Sequence, residues 1–143
     1  MSISVSKLRA VRAFLAVTAV AFSIGSAHAE DVKVALSGAE ETPAVETAAS
    51  GVGKFTIGTD KSVSGELKTS GIDGTVAHIH LGAPGQKGPP VITLVKGADG
   101  TWTVPPGSTL TDEQYASFKA GDLYVNVHSA DHKPGEIRGQ LKP

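Results

Sequence analysis

The sequence predicts an all-β protein of about eight short strands with one short helix. Apolar and polar residues alternate with a period of two in several short segments, which is the pattern of strands with one buried face. Turn-forming glycine, proline and aspartate residues separate these segments. A single segment carries start and stop signals for a helix. Together, these observations indicate a β domain.

Residues 1–29 have the features of a secretory signal peptide. A basic start is followed by an apolar run at 13–24 and an Ala-x-Ala cleavage site that ends at Ala29. The apolar run is short for a membrane span, so an uncleaved N-terminal anchor is the less favoured alternative. We expect cleavage after Ala29, no membrane span in the mature chain, and a periplasmic or secreted protein.

The remaining residues, 30–143, have the size of one domain, because 143 minus 29 leaves 114 residues. Three of the 13 basic residues lie in the signal peptide, so 10 Lys and Arg face 14 Asp and Glu, a net charge of −4. A mildly acidic chain without a basic cluster argues against a nucleic-acid partner and against anionic lipid. The sequence contains no cysteine, which excludes disulfides, thiolate ligands and a cysteine nucleophile.

The strands are predicted in chain order from alternation and from the turns between them. The eight predicted strands are 32–36, 51–57, 63–68, 76–81, 91–95, 101–104, 123–128 and 136–141. Residues 51–57 and 63–68 form a hairpin around a turn at 58–61. Residues 39–50 have no regular period and are predicted as a loop. Trp102 is predicted in the core.

The predicted helix spans 110–121 and lies between the sixth and seventh strands. Thr111 is the expected N-cap because a glutamine follows three residues later, and Gly121 ends the helix. Tyr115 and Phe118 share one face of this helix. We expect this pair to anchor the helix across one end of the sheets.

The segment 76–81 carries a His-x-His pair. With a period of two, His78 and His80 lie on one face of the strand, opposite an apolar face, and are close enough to hold one metal ion. A glycine- and proline-rich loop at 82–90 follows directly. This loop either forms one wall of the site or serves only to reverse the chain.

Two later strands place further candidates on their polar faces, namely His128 and Arg138. If these strands are neighbours of the His-x-His strand, the four side chains lie together on the outer surface of one sheet. His132, in the turn at 129–135, is a further candidate ligand. The alternative is that all these residues are separate, solvated polar side chains.

Two long motifs in the chain resemble the CHRD domain, the repeat first described in chordin. The first motif is AHIHLGAPG at 77–85 with GP at 88–89, and the second is LYVNVHS at 123–129 followed by His132 and PGEIRGQL at 134–141. The resemblance covers residues 32–141 and implies a secreted β-sandwich, which we expect to be antiparallel and Greek-key-like. It implies no particular reaction.

The site also resembles, more weakly, that of copper-containing superoxide dismutases. By order and type, His78, His80, His128 and His132 are similar to the copper ligands of that family, and Arg138 is similar to its anion-guiding arginine. The chain departs from the family by lacking the cysteine pair and the His and Asp cluster of the zinc-binding loop. Imidazoles without thiolates favour copper, with zinc less favoured.

Three hypotheses follow for the function. In the first, the domain binds a copper ion for storage, delivery or sensing. In the second, it uses that ion as a redox enzyme acting on superoxide or another small anion, with Arg138 as the catalytic cation. In the third, it is a metal-free interaction or adhesion module. Other enzyme classes lack their motifs, since the sequence has no Gly-x-Ser-x-Gly elbow, phosphate loop or dinucleotide fingerprint.

Overall fold

The computed structural model describes residues 28–143. The nine strands of this part of the chain are β1 (Ala29–Ser37), β2 (Ser50–Gly58), β3 (Val63–Ser70), β4 (Gly74–Leu81), β5 (Pro90–Thr93), β6 (Val95–Lys96), β7 (Thr101–Thr103), β8 (Leu123–Ser129) and β9 (Ile137–Leu141). One α-helix, α1 (Asp112–Ala120), and a short 3-10 helix (Gly38–Glu40) complete it. The predicted signal peptide lies outside the described residues except for its last two, and Ala29 is the first residue of β1.

The strands form one antiparallel sheet in the order β5-β4-β8-β9-β1-β2-β3-β7-β6. β1, β2 and β3 follow one another as a meander, after which the chain crosses over so that β4 pairs with β8. The predicted all-β antiparallel fold with one short helix is confirmed. Its two layers are opposite walls of a single rolled sheet.

The sheet is nearly closed into a barrel by one segment of chain. The predicted strand 91–95 is divided at Leu94 into β5, which pairs with β4, and β6, which pairs with β7. Leu94 is buried at the division, and its N–H donates to the carbonyl oxygen of Ala77 at 2.9 Å. The strand divides here because its pairing partner changes from one end of the sheet to the other.

The hydrophobic core lies inside this rolled sheet. It is built from the apolar faces of the strands, with Phe55, Ile79 and Trp102 among the fully buried side chains. The prediction that Trp102 belongs to the core is confirmed. Burial of such aromatic and branched side chains contributes about 1.5–3 kcal/mol each to folding, which is the main source of stability in a chain without disulfides.

The helix has the ends that the sequence predicts. The Oγ1 atom of Thr111 accepts a hydrogen bond from the N–H of Gln114 at 3.2 Å, and the Thr111 N–H donates to Oε1 of Gln114 at 2.9 Å, which makes a capping box. Gly121 ends the helix in the left-handed conformation with φ of 82°. Phe118 is buried and Tyr115 packs beside it, so the pair anchors the helix on the core.

Replacing Thr111 by alanine should lower the free energy of unfolding by about 1 kcal/mol, because the N–H of Gln114 loses the side-chain oxygen that caps it. Urea denaturation of the metal-free protein measures this loss. Thr111→Ser keeps the hydroxyl and should retain most of the stability. Equal losses in the two variants would show that the cap does not stabilise the domain.

A second, polar layer covers the outer faces of β4, β8 and β9. The loop at 82–89, called the covering loop below, and the segments 41–47 and 130–136 fold against these faces. The predicted outer face of the sheet is therefore partly covered by loops. His80, Asn126 and Arg138 are 8%, 2% and 2% exposed. Alternation identifies the face of a strand, and only the path of distant loops decides whether that face meets water.

None of the helices in the described part of the chain, residues 28–143, has the length and apolar character needed to cross a bilayer.

Candidate metal centre

Three histidines from two adjacent strands lie together on the outer face of the sheet, and His80 contacts the covering loop. The spacing of two in β4 puts His78 and His80 on the same face, and β8 is the antiparallel neighbour of β4. His128 is paired with Val76, which places it diagonally across from His78. The ring centroid of His78 lies 5.2 Å from that of His80 and 5.1 Å from that of His128. The centroids of His80 and His128 are 6.1 Å apart.

The nitrogen atoms of these three rings converge. One ring nitrogen of each of the three lies within 4.8 Å of those of the other two. The Nδ1 atom of His78 is 3.2 Å from Nε2 of His128. Two imidazole nitrogens bound to one ion at about 2.0–2.1 Å are about 3.3 Å apart at the tetrahedral angle. The spacing of this pair therefore fits a shared metal ion.

Backbone carbonyls fix which nitrogen of two of the rings carries the hydrogen. Nδ1 of His80 lies 2.9 Å from the carbonyl oxygen of Gly88, and Nδ1 of His128 lies 2.7 Å from that of Lys133. Because a carbonyl oxygen only accepts, Nδ1 is the protonated nitrogen in both rings. Both Nε2 atoms consequently keep a lone pair for a metal, which is the usual arrangement around metal-binding histidines.

The Nε2 atom of His80 is buried and has no hydrogen-bond partner among residues 28–143. Leaving a buried polar atom without a partner costs about 1–3 kcal/mol, so such atoms are rare without a role. A metal ion at the convergence point of the three rings would satisfy this atom. The residues thus fit a metal, and His78 and His128 are only half-buried, which leaves an opening towards solvent.

Burial lowers the pKa of His78, and the neighbouring His128 and His80 lower it further. Burial also lowers the pKa of His80, against the opposing effect of its hydrogen bond to Gly88. Both rings are therefore neutral near pH 7. Neutral imidazole is the form that coordinates a metal, so no proton has to be displaced from a charged ring on binding.

A family model for the CHRD domain matches residues 32–141, from within β1 to the last residue of β9. The chain belongs to the CHRD domain family. The match contains all three clustered histidines. A search of curated proteins and a search of solved structures found no match.

In this CHRD domain the covering loop is part of the site. Its Gly88 carbonyl holds His80, and the Gly88 N–H donates to the hydroxyl of Tyr124 at 3.3 Å. A Cβ atom at position 88 would lie 1.5 Å from the carbonyl oxygen of Leu81, so only glycine fits this close approach. The loop forms one wall of the site, which is the first of the two roles considered for it.

Arg138 is a buried part of the same layer of the CHRD domain. Its guanidinium donates to the carbonyl oxygens of Gln86 at 2.7 Å and Ala83 at 3.0 Å, and to Oε1 of Gln140 at 3.2 Å. Its Cζ atom lies 3.5 Å from the ring centroid of Tyr124, and the same ring stacks on His80 at 4.8 Å. Arg138 thus ties the covering loop to β9. Its catalytic role stays a prediction.

His132 is not in the group of three histidines whose nitrogens converge. Its N–H donates to Oγ of Ser129 and its carbonyl oxygen accepts from the N–H of Gly135, so these contacts shape the turn at 129–135. The side chain lines a cleft of about 180 Å³ together with Glu41 and Lys87. The structure therefore brings three of the four predicted ligands together.

Two residues beside the cluster have a larger part than the sequence indicates. Glu41 is buried, and its Oε1 atom lies 3.4 Å from Nδ2 of Asn126. Burial raises the pKa of Glu41, and the hydrogen bond from Asn126 acts in the opposite direction. Glu41 lies in a loop without periodicity, so no sequence signal identifies it. Asn126 shares the polar face of β8 with His128, and its place on that face is the sequence signal that could identify it.

Proposed function

We propose that this CHRD domain is an exported protein that binds one copper ion on His78, His80 and His128, for storage, delivery or sensing. The observation that carries the proposal is the convergence of three imidazole nitrogens within 4.8 Å of one another, and it is supported by the buried Nε2 atom of His80, which has no partner among residues 28–143. Three imidazole nitrogen donors without a thiolate suit Cu(II), which binds more tightly than other divalent first-row ions, including zinc.

Metal analysis of the mature protein, expressed with its leader and recovered from the periplasm or the medium, tests the proposal. We expect one copper per chain, and Cu(II) titration of the metal-free protein should give a single site. His132→Ala is the matched control because His132 lies outside the converging group, and this variant should bind copper like the parent. Retention of the chain in the cytoplasm would contradict export, and failure to take up copper would leave the metal-free interaction module as the function.

The same site in catalytic use is the second candidate. One observation favours it, namely that Arg138 and His80 both lie against the ring of Tyr124, with Cζ of Arg138 3.5 Å and the His80 ring 4.8 Å from its centroid. A bound copper ion would supply one-electron redox chemistry, and a fixed cation attracts small anions such as superoxide. Because the guanidinium already makes three hydrogen bonds and is buried, binding is the better-supported use. A superoxide-consumption assay on the copper-loaded protein separates the two.

A further inference from the structure

Asn126 places a second unpartnered polar atom next to the histidine cluster. Its side chain is 2% exposed, and within residues 28–143 its Oδ1 atom has no hydrogen-bond partner. In the same region only two other buried side-chain atoms lack a partner, and one of them is Nε2 of His80. Two such atoms in one small site cost about twice what a single one costs, unless one ligand satisfies both.

The position of Asn126 directs its amide at the cluster. It lies directly opposite His78 across the β4–β8 pair, with Tyr124 and His128 two residues away on the same face. It is also diagonal to His80, which is paired with Tyr124, two residues before Asn126 on the same face. The residue is therefore next to both β4 histidines.

Glu41 determines which end of the amide faces the cluster. Its Oε1 atom lies 3.4 Å from Nδ2 of Asn126, and a carboxylate oxygen accepts from the NH₂ group rather than from the carbonyl oxygen. Gly135 supports this pair, because a Cβ atom there would lie 2.3 Å from Oε1 of Glu41 and 2.6 Å from Nδ2 of Asn126. With the NH₂ group held by Glu41, Oδ1 is the end left for the site.

We infer that Oδ1 of Asn126 is a fourth donor to the ion held by His78, His80 and His128, with Glu41 as the residue that positions the amide. This inference rests on the proposed copper-binding function. An amide oxygen is a hard donor, whereas Cu(I) prefers soft ligands. Asn126 therefore favours Cu(II) over Cu(I) at a site whose three imidazoles accept either oxidation state.

The test compares the affinities of two variants for the two oxidation states of copper. Asn126→Leu keeps the approximate shape and removes the oxygen, and it should lower the Cu(II) affinity about 10- to 100-fold with a smaller change for Cu(I). Asn126→Asp keeps an oxygen donor but loses the NH₂ group that Glu41 holds, so it should retain more of the Cu(II) affinity than Asn126→Leu. Electron paramagnetic resonance of the Cu(II) forms should show an altered copper hyperfine coupling in the leucine variant.

A measurement on the unmodified protein does not depend on how the variants fold. Asn126 is the one asparagine in the sequence, so protein labelled with ¹³C and ¹⁵N in asparagine gives a single side-chain amide signal. Adding Zn(II), a diamagnetic ion that uses the same kinds of donor, should shift its carbonyl ¹³Cγ resonance. In His132→Ala the shift should be the same.

Three results would overturn the inference while leaving the proposed function in place: an unshifted ¹³Cγ resonance on Zn(II) binding, an unchanged Cu(II) affinity in a folded Asn126→Leu protein, or equal losses for Cu(I) and Cu(II). Equal losses would mean that Asn126 only supports the fold of the site. If the unmodified protein binds no metal ion, the proposed function and this inference fail together.

Discussion

Replacing His128 by alanine should lower the Cu(II) affinity by more than about 100-fold. Loss of a residue that only orients a ligand costs about 10- to 100-fold in metal affinity, so loss of an imidazole ligand, which is a stronger donor to copper than an amide oxygen, should cost more. His128 is the best of the three ligands to replace because it is half-buried, and its hydrogen-bond partner, the Lys133 carbonyl, lies in a turn where water can take over the bond. His80→Ala should cost as much affinity, but it also removes a buried ring that stacks on Tyr124.

Competition titration against a chromogenic chelator measures this affinity. Thermal unfolding gives an independent readout, since copper at 100 times its dissociation constant should stabilise the unmodified domain by about 2.7 kcal/mol. The His128→Ala protein should show almost no stabilisation at the same copper concentration. His132→Ala should behave like the unmodified domain in both experiments. If His128→Ala retains its affinity while His132→Ala loses it, the ligand assignment is wrong.

Replacing Arg138 by alanine should lower the free energy of unfolding of the metal-free protein by about 2–4 kcal/mol. The carbonyl oxygens of Ala83 and Gln86 would lose a charged donor, and the ring of Tyr124 would lose the group that covers it. Because Arg138 holds the covering loop, and this loop holds His80 through the Gly88 carbonyl, copper affinity should fall as well. Urea denaturation and copper titration measure the two effects.

Arg138→Lys is the matched control for charge. A lysine keeps the positive charge but does not reproduce the planar fork that reaches two carbonyls, so it should recover only a small part of the lost stability. An anion-guiding role predicts a different pattern. In that case Arg138→Ala would keep its stability and copper and consume superoxide more slowly, and Arg138→Lys would recover the rate.

The strands and the helix could be predicted from the sequence because their signals are local. Alternation identified the apolar faces around Ile79, and the spacing of Thr111 and Gly121 identified the ends of α1. The division of one predicted strand at Leu94 was missed. It depends on pairing with β4 on one side and β7 on the other, and a segment's own residues do not encode its partners.

The candidate site was predictable in part for the same reason. His78, His80 and His128 lie on the polar faces of their strands, and period two is enough to establish that. His132 was grouped with them because it is near His128 in sequence, yet the turn at 129–135 keeps it out of the group whose nitrogens converge. Two residues that are close in sequence within a turn need not be close in space, whereas residues two apart in a strand always lie on the same face.

By itself, the sequence determined the all-β fold, the family and the face of each strand that carries its histidines, because strand periodicity is a property of neighbouring residues. Only the tertiary structure decided that these faces are covered, that Arg138 is held by the covering loop, and that Glu41 meets Asn126 beside the histidines. These contacts join residues that are between 52 and 85 positions apart. Contacts over such distances are set by how the sheet rolls and where its loops cross, and no local pattern records them.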